Sequence, residues 1–188
     1  LWWMTAIAIQ ARYGAAALSF SETLEAVSST AVASEVLRGL GYWLFYVGDP
    51  VTAATTASRA YQESAPLLAV GFALVLAGVA GLVVARWAHR RFAALCLLAG
   101  VVLAVGAYPI DDPSPLGSAL AGSSTSTLVL ALRSSTRAVP LVVFALALGA
   151  GALVTALDGH RPRLGRLAAV ALVVLAVVNL PPAWTGGF

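Results

Sequence analysis

The sequence predicts an all-α fold: a polytopic bundle of transmembrane helices with short interfacial helices in its outer loops. Hydrophobic residues make up 60% of the 188 residues and charged residues only 10%, and the mean hydropathy is +0.90. A soluble domain usually carries about 25% charged residues. Long apolar runs also alternate with short arginine-rich segments, as membrane helices alternate with their loops.

The first apolar run covers residues 1–11. It begins "LWWMTAIAIQ", which is too short to span a bilayer and lacks the basic start and cleavage site of a signal peptide. We interpret it as the end of a helix that begins upstream, and we expect the chain to be a fragment of a larger membrane protein. Residues 12–66 then form a long outer loop.

Four further apolar runs predict membrane spans. At about 1.5 Å per residue the first of them covers roughly 28 Å, close to the thickness of the hydrocarbon layer. Pro66 and Pro140 stand at the start of two runs, where proline is tolerated, and Ser64 is a possible N-cap. The last run is short and needs support from Arg166 and from the belt Pro181–Trp184. The runs are 67–85, 92–108, 141–157 and 167–180.

The loops give the orientation. Residues 86–91 and 158–166 are short and carry three arginines each. The positive-inside rule makes both loops cytoplasmic, so that residues 109–140 form a second outer loop and 181–188 an outer tail leading to a further part. The sequence therefore predicts a multi-pass protein of the plasma membrane.

The predicted spans contain no ionisable residue well inside them. Ionisable residues inside a membrane mark ion and proton paths, so their absence argues against a transporter. The spans contain small residues instead, which allow helices to approach closely. The glycines concerned are Gly71, Gly78, Gly81, Gly100, Gly149 and Gly151.

The first outer loop contains "SSTAVASEVLRGLGYWLFY". This stretch predicts a short amphipathic helix, capped near Ser29 or Thr30 and followed by an aromatic girdle at headgroup level. Asp49-Pro50 predicts the start of another short helix toward Tyr61. The girdle residues are Tyr42, Trp43, Phe45 and Tyr46.

Arg38 has two readings. It is either an interfacial arginine that contacts lipid phosphate or a helix C-terminus, or a guanidinium fork for the phosphate of a lipid-linked substrate. Tyr42 and Trp43 are either part of a membrane belt or a platform for a sugar. Glu22 is either a solvated surface residue or part of the same site.

The second outer loop offers adjacent carboxylates at Asp111 and Asp112. They could serve a metal or a general base, but aspartates before "PSP" ordinarily form a turn. Residues 124–137 predict an interfacial or re-entrant helix that ends in Arg133 and Arg137.

The remaining reactive side chains predict little chemistry. His89 and His160 lie in the basic inner loops without a second ligand at metal spacing, and Cys96 lies in an apolar run as a small hydrophobe. We expect no metal and no cofactor. We also expect no nucleic-acid partner, because the excess of positive charge lies against the membrane.

Several short motifs in order carry a resemblance to a known family. Trp2-Trp3, Arg12-Tyr13, Glu22-Thr23 and "LRG" at 37–39 come first, followed by Trp43. "SPLGSAL" (114–120) and "NLPPAWTGGF" (179–188) come later. Together they resemble the middle of the actinobacterial membrane α-(1→3)-arabinofuranosyltransferase family over nearly the whole chain.

The resemblance implies part of one GT-C-like membrane domain, residues 1–188. Enzymes of this class transfer a sugar from a polyprenyl-phosphate donor at the outer face, here arabinofuranose to the arabinan of arabinogalactan and lipoarabinomannan. The family's catalytic aspartate is expected in an outer loop upstream of Leu1 and is not carried onto Asp111 or Asp112. Where the family shows a basic stretch after "SPLGSAL", Arg133 is the corresponding residue.

The predicted substrate-binding residues are Arg38, Trp43, Tyr42, Glu22 and Arg133, with the catalytic residue unknown. The expected partners are membrane lipids, the lipid-linked donor, the arabinan acceptor and an acidic cytoplasmic partner such as an acyl carrier protein, which the arginines of the inner loops would suit. The alternative function is a non-catalytic membrane scaffold of cell-envelope assembly.

Overall fold

The computed structural model describes residues 5, 24–46, 56–115, 117–118, 135–181 and 183. Within these ranges the chain forms helices and turns, with no β-strand. Three short helices come first and four long helices follow, with 3₁₀ turns at Trp43–Phe45 and Ser135–Ala138. The helices are α1 Leu24–Ser29, α2 Ala33–Leu37, α3 Thr56–Glu63, α4 Ala65–Val84, α5 Arg90–Val105, α6 Val139–His160 and α7 Pro162–Val178.

The long helices α4 to α7 lie where the four apolar runs predict spans. Pro66 and Pro140 occupy the first turns of α4 and α6, as their positions in the sequence predict. Ser64 is the N-cap residue of α4, although its side chain makes no capping hydrogen bond. The all-helical fold class is therefore confirmed.

Three helix ends differ by three or more residues from the predicted bounds: the end of α5, the end of α6 and the start of α7. Helix α5 ends at Val105 because Gly106 follows with a positive φ of 55°. Helix α6 continues to His160 and α7 begins at Pro162, so that Arg161 alone separates them. The predicted inner loop 158–166 is thus mostly helical, and two of its three arginines, Arg163 and Arg166, lie on the first turns of α7.

Two segments are long and apolar enough to cross a membrane, Ala65–Val84 and Ser135–His160. Helices α5 and α7 are shorter, with 16 and 17 residues. The described residues therefore support a membrane location through two candidate spans, and the other two spans stay predictions.

Helix α6 is the central helix of the bundle and runs parallel to α4. Gly78 of α4 approaches Leu146 of α6, and Gly81 approaches Gly149 one turn further along. Helices α5 and α7 run antiparallel to α6, because Gly100 approaches Val142 and Gly165 packs on Asp158. Helices α4 and α5 follow each other in the sequence, yet both pack mainly on α6.

This topology sorts the connections onto two ends of the bundle. The turns 85–89 and 161 share one end, which we call the inner end in accordance with their arginines. Residues 24–46, helix α3, and the described residues between α5 and α6 share the opposite end, which we call the outer end.

Glycines bring the backbones of α4 and α6 into direct contact. A Cβ atom at Gly78 would lie 2.7 Å from the carbonyl oxygen of Leu146. A Cβ at Gly149 would collide with the carbonyl oxygen of Gly78. Gly151, in contrast, meets no described atom within 4 Å of such a Cβ, so it takes no part in this contact between α4 and α6.

The main hydrophobic cluster joins the long helices to the outer segment. Val36 of α2 is fully buried and packs with Val142 and Ala104. The predicted outer helix, capped near Ser29 or Thr30, corresponds to α2, which begins only at Ala33 and is anchored in the bundle, whereas α1 precedes it. The buried cluster consists of Val36, Val75, Ala104, Val142 and Leu146.

The lateral surface of the bundle formed by α7 is apolar. One face of α7 leaves large side chains exposed at helical spacing, at Leu167, Val170, Val174 and Val177. A soluble monomer rarely exposes so continuous an apolar surface. This face fits the hydrocarbon layer of a membrane.

Candidate functional site at the outer end

The local backbone directs Arg38 into the bundle. Arg38 follows the last residue of α2, and its backbone N–H donates to the carbonyl oxygen of Ser34. Gly39 and Gly41 then turn the chain with φ values of 83° and 99°, which non-glycine residues rarely adopt. The side chain of Arg38 lies against Gly71 of α4, where a Cβ atom would be only 2.9 Å from Nε.

The guanidinium of Arg38 is held by protein groups. Its Nη1 donates to Oε1 of Glu35 at 2.9 Å, and its Nη2 donates to the carbonyl oxygen of Tyr61 at 2.9 Å. The ring of Phe72 lies under it, with its centroid 5.6 Å from Cζ. The side chain is only 1% exposed, so its charge is neutralised inside the protein by Glu35.

Tyr46 donates a second hydrogen bond to the carboxylate of Glu35. Its hydroxyl donates to Oε2 of Glu35 at 2.8 Å and accepts the N–H of Gly41 at 3.2 Å. Burial of the phenol, together with the hydrogen bond to the Glu35 carboxylate, raises the pKa of Tyr46 well above its ordinary value near 10. The hydroxyl therefore keeps its proton and its role as donor.

Tyr61 links this network to the end of α7. Its hydroxyl donates to the carbonyl oxygen of Asn179, and its ring lies 5.7 Å from that of Phe45. Burial raises the pKa of Tyr61 as well. Glu35, Arg38, Tyr46 and Tyr61, which we call the outer cluster, thus fasten α2, α3, α4 and α7 together.

Tyr42 and Trp43 stand at the surface beside the outer cluster. Tyr42 is 38% exposed, and its ring centroid lies 6.2 Å from that of Trp43 with a tilt of 50°. Thr30 Oγ1 donates to the carbonyl oxygen of Gly41 at 3.0 Å and fixes the backbone that carries the two rings. The two rings therefore form an aromatic surface, and a hydrogen bond holds the backbone that carries them.

The second outer segment places its carboxylates in solvent. Asp111 and Asp112 are exposed in a turn, which the N–H of Asp112 closes by donating to the carbonyl oxygen of Pro109 at 3.2 Å. The predicted turn is confirmed. Ser114 Oγ, the first residue of "SPLGSAL", donates to the carbonyl oxygen of Gly106 at 3.0 Å and fastens this segment to α5.

The structure brings three of the five predicted site residues together. Arg38, Tyr42 and Trp43 lie within one segment, with Arg38 below the surface and the two rings at it. Glu22 and Arg133 lie outside the described residues, as does the predicted helix start at Asp49-Pro50. Binding of substrate by these five residues stays a prediction.

Sequence reasoning missed the partners of Arg38. Glu35 lies three residues before Arg38, a spacing that places opposite charges side by side on a helix and could have indicated the pair. No local pattern indicates the contacts of Arg38 and Glu35 with Tyr61 and Tyr46, because the loop geometry brings these residues together.

The described part of the chain contains no group of three or more His, Cys, Asp or Glu side chains that could hold a metal ion. His89 and His160 lie exposed at the inner end, and Nδ1 of His160 is 2.8 Å from the carbonyl oxygen of Ala156. The polar chemistry of the described residues is therefore that of arginines, carboxylates and phenols.

Comparison with known proteins identifies the family. No curated protein and no solved structure matches the chain. Residues 1–188 match the family described as "Alpha-(1->3)-arabinofuranosyltransferase, N-terminal GT-C domain". The match covers the whole chain, in agreement with the all-helical bundle, its candidate spans and the resemblance that the short motifs carry. The chain belongs to the family of N-terminal GT-C domains of α-(1→3)-arabinofuranosyltransferases.

Proposed function

We propose that this domain is part of an enzyme that transfers arabinofuranose from a polyprenyl-phosphate donor to cell-wall arabinan at the outer face of the plasma membrane. The family supports the sugar and the reaction class. The observation that carries the proposed location is the Tyr42–Trp43 pair at the surface of the outer end, with Tyr42 exposed and Trp43 half-buried, opposite the arginine-rich inner end. Arabinogalactan and lipoarabinomannan are the proposed acceptors.

The proposed reaction is an in-line displacement at the anomeric carbon. The bond from this carbon to the phosphate oxygen breaks, and a bond to the acceptor hydroxyl oxygen forms. A carboxylate takes the proton of the acceptor hydroxyl, and polyprenyl phosphate leaves with the electron pair of the broken bond. None of the described carboxylates is assigned this role, so the base is proposed to lie elsewhere in the enzyme.

The proposed role of Tyr42 and Trp43 is to pack against a sugar ring and orient it. Rigid aromatic rings give contact area at low cost in conformational entropy. The turn at Gly39–Gly41 and the outer cluster hold the two rings in place.

A transfer assay on the full-length enzyme in vesicles tests this role. We expect Trp43→Ala to lower kcat/KM about tenfold, which corresponds to about 1.4 kcal/mol, with the unfolding temperature unchanged. Phe92→Ala is the matched control, since Phe92 is an aromatic residue 55% exposed at the start of α5. Equal rates for both variants and the wild type would overturn the proposed sugar contact.

Arg38 is proposed either to bind the donor phosphate or to position the neighbouring segment. The substitution Glu35→Gln distinguishes these two roles. If Arg38 binds donor phosphate, Glu35→Gln frees the guanidinium, so the KM for the donor falls or stays unchanged. If Arg38 only positions the segment that carries Tyr42 and Trp43, Glu35→Gln loosens that segment, and transfer falls for all donors alike. The contacts with Glu35 and the carbonyl of Tyr61 favour positioning.

The scaffold alternative makes a different prediction for the same assay. If the domain only docks other proteins, neither Trp43→Ala nor Glu35→Gln changes transfer by a purified enzyme that is otherwise intact. Partner binding, measured by co-purification, changes instead.

An acidic cytoplasmic partner, such as an acyl carrier protein, is proposed for the exposed arginines of the inner end. Arg90 and Arg91 are exposed at the start of α5 and present their charge away from the bundle. Co-purification of an acidic protein that is lost on Arg90→Glu would support this partner, and its absence from the wild type would leave the arginines to lipid.

A further inference from the structure

An open cleft lies at the inner end, between the end of α4 and the last turns of α6. Its volume is about 1250 Å³, and α7 contributes Leu164 to its wall. Most of the lining is apolar and comes from Leu148, Ala152 and neighbouring residues of α6. Gly151 widens the cleft because it has no side chain and no neighbour within 4 Å of a Cβ.

The mouth of the cleft is positively charged. Arg86 from the turn after α4 and Arg161 from the turn after α6 both line it, and both are exposed. His160 lines it beside Arg161, whereas Asp158 is absent from the lining and packs against Gly165. The two guanidinium groups therefore have no carboxylate of the lining beside them.

Trp87 adds a donor to this mouth. It lines the cleft, and its indole Nε1 is buried without a hydrogen-bond acceptor among the described residues. A buried N–H group without an acceptor costs free energy, which an incoming oxygen would recover. Tryptophan is also the residue that prefers the headgroup level of a membrane.

We propose that this cleft binds an anionic phospholipid of the inner leaflet. The phosphate would lie at the mouth between Arg86 and Arg161, and an acyl chain would lie along the apolar wall at Gly151. Charge at the mouth and an apolar wall behind it match the two parts of such a lipid, because arginines near the membrane surface attract anionic headgroups. A membrane-facing position supplies this ligand directly.

Native mass spectrometry of the full-length protein, purified after exchange into phosphatidylglycerol vesicles, tests the site. We expect phosphatidylglycerol to remain bound to the wild type, and to be retained at least tenfold less by the double variant Arg86→Gln/Arg161→Gln. Arg91→Gln/Arg163→Gln removes the same charge from exposed inner-end arginines outside the cleft lining, and we expect it to retain the lipid.

A second variant tests the acyl wall without altering charge. Gly151→Phe fills the cleft from a position with no described atom within 4 Å of a Cβ, so we expect the fold to be kept and lipid retention to fall. Equal loss in both double variants would overturn the proposal in favour of a diffuse charge effect. Undiminished lipid retention by Gly151→Phe would also overturn it, as would a wild type that retains no phosphatidylglycerol. The proposal would fail as well if the wild type bound an acidic protein there that Arg86→Gln/Arg161→Gln releases. None of these outcomes bears on sugar transfer, which is measured separately.

Discussion

The two ends of the bundle use their charged residues in opposite ways. At the outer end, Arg38 is buried and its charge is met by Glu35 and by the carbonyl of Tyr61. At the inner end, arginines such as Arg86 and Arg161 are exposed around an open cleft. The charged group of the outer end is thus paired inside the protein, whereas the arginines of the inner end stay exposed.

This difference has a physical consequence for where substitutions matter. A buried charge that loses its partner costs several kcal/mol, because the remaining group stays desolvated. An exposed charge is screened by water and contributes about 0–1 kcal/mol. Stability should therefore depend on the arginine of the outer end more than on those of the inner end, to which we assign only the proposed lipid binding.

The largest expected effect is the loss of Arg38. Arg38→Met keeps much of the side-chain volume but leaves Glu35 without its ion pair and the carbonyl of Tyr61 without its donor. We expect a loss of about 3 kcal/mol, the low end for a buried pair, since Glu35 is 20% exposed and retains some water. Thermal unfolding of the full-length protein in detergent measures it.

The inner end provides the control for this measurement. Arg91→Met makes the same chemical change at an exposed position of α5 and should shift stability by less than about 0.5 kcal/mol. Glu35→Gln/Arg38→Met should recover part of the loss, because it removes the unpaired carboxylate. Equal shifts for Arg38→Met and Arg91→Met would contradict the contrast between the two ends.

The glycine contact between α4 and α6, which we call the seam, gives the next largest expected effect. Gly149→Ala places a methyl group against the carbonyl oxygen of Gly78, so the helices must separate. We expect a loss of about 2 kcal/mol, which is typical of overpacking. The same unfolding measurement in detergent detects it.

Gly151→Ala is the matched control on the same helix, two residues away. No atom lies within 4 Å of its new methyl group. Alanine favours a helix over glycine by roughly 0.5–1 kcal/mol, so this variant should be as stable as the wild type or slightly more stable. A comparable loss for both variants would mean that the seam is not the cause.

The bundle could be predicted from the sequence because its signals are local and strong. Apolar runs, Pro66 and Pro140, and the arginine-rich turns locate α4 to α7 within a few residues. The ends were less predictable, because Asp158–His160 continue α6 and a single residue, Arg161, then suffices for the turn. A polar residue near a helix end does not by itself end the helix.

The packing partners could not be predicted in the same way. Six glycines were predicted to allow close packing, and only the tertiary arrangement distinguishes Gly149, which meets a backbone, from Gly151, which meets nothing. From the sequence, Arg38 could similarly be an interfacial residue, whereas the structure buries it against Gly71 and Glu35. Its burial depends on contacts with α3 and α4 that are distant in the sequence.

The smallest expected effect concerns the phenol of the outer cluster at high pH. The folded state raises the pKa of Tyr46 above the ordinary value near 10, so it holds the proton more tightly than the unfolded state does. The stability that this proton contributes is present below about pH 10 and is lost as pH rises above it. Unfolding temperatures in detergent from pH 8 to 11 measure the loss.

Tyr46→Phe removes this titration together with one hydrogen bond to Glu35. We expect a loss of about 1 kcal/mol at neutral pH and a shallower decline above pH 10, with Tyr61 supplying part of the remaining slope. If Tyr46→Phe declines as steeply as the wild type, the buried phenol does not contribute to the closure of the outer end, and the contrast with the open inner end rests on Arg38 alone.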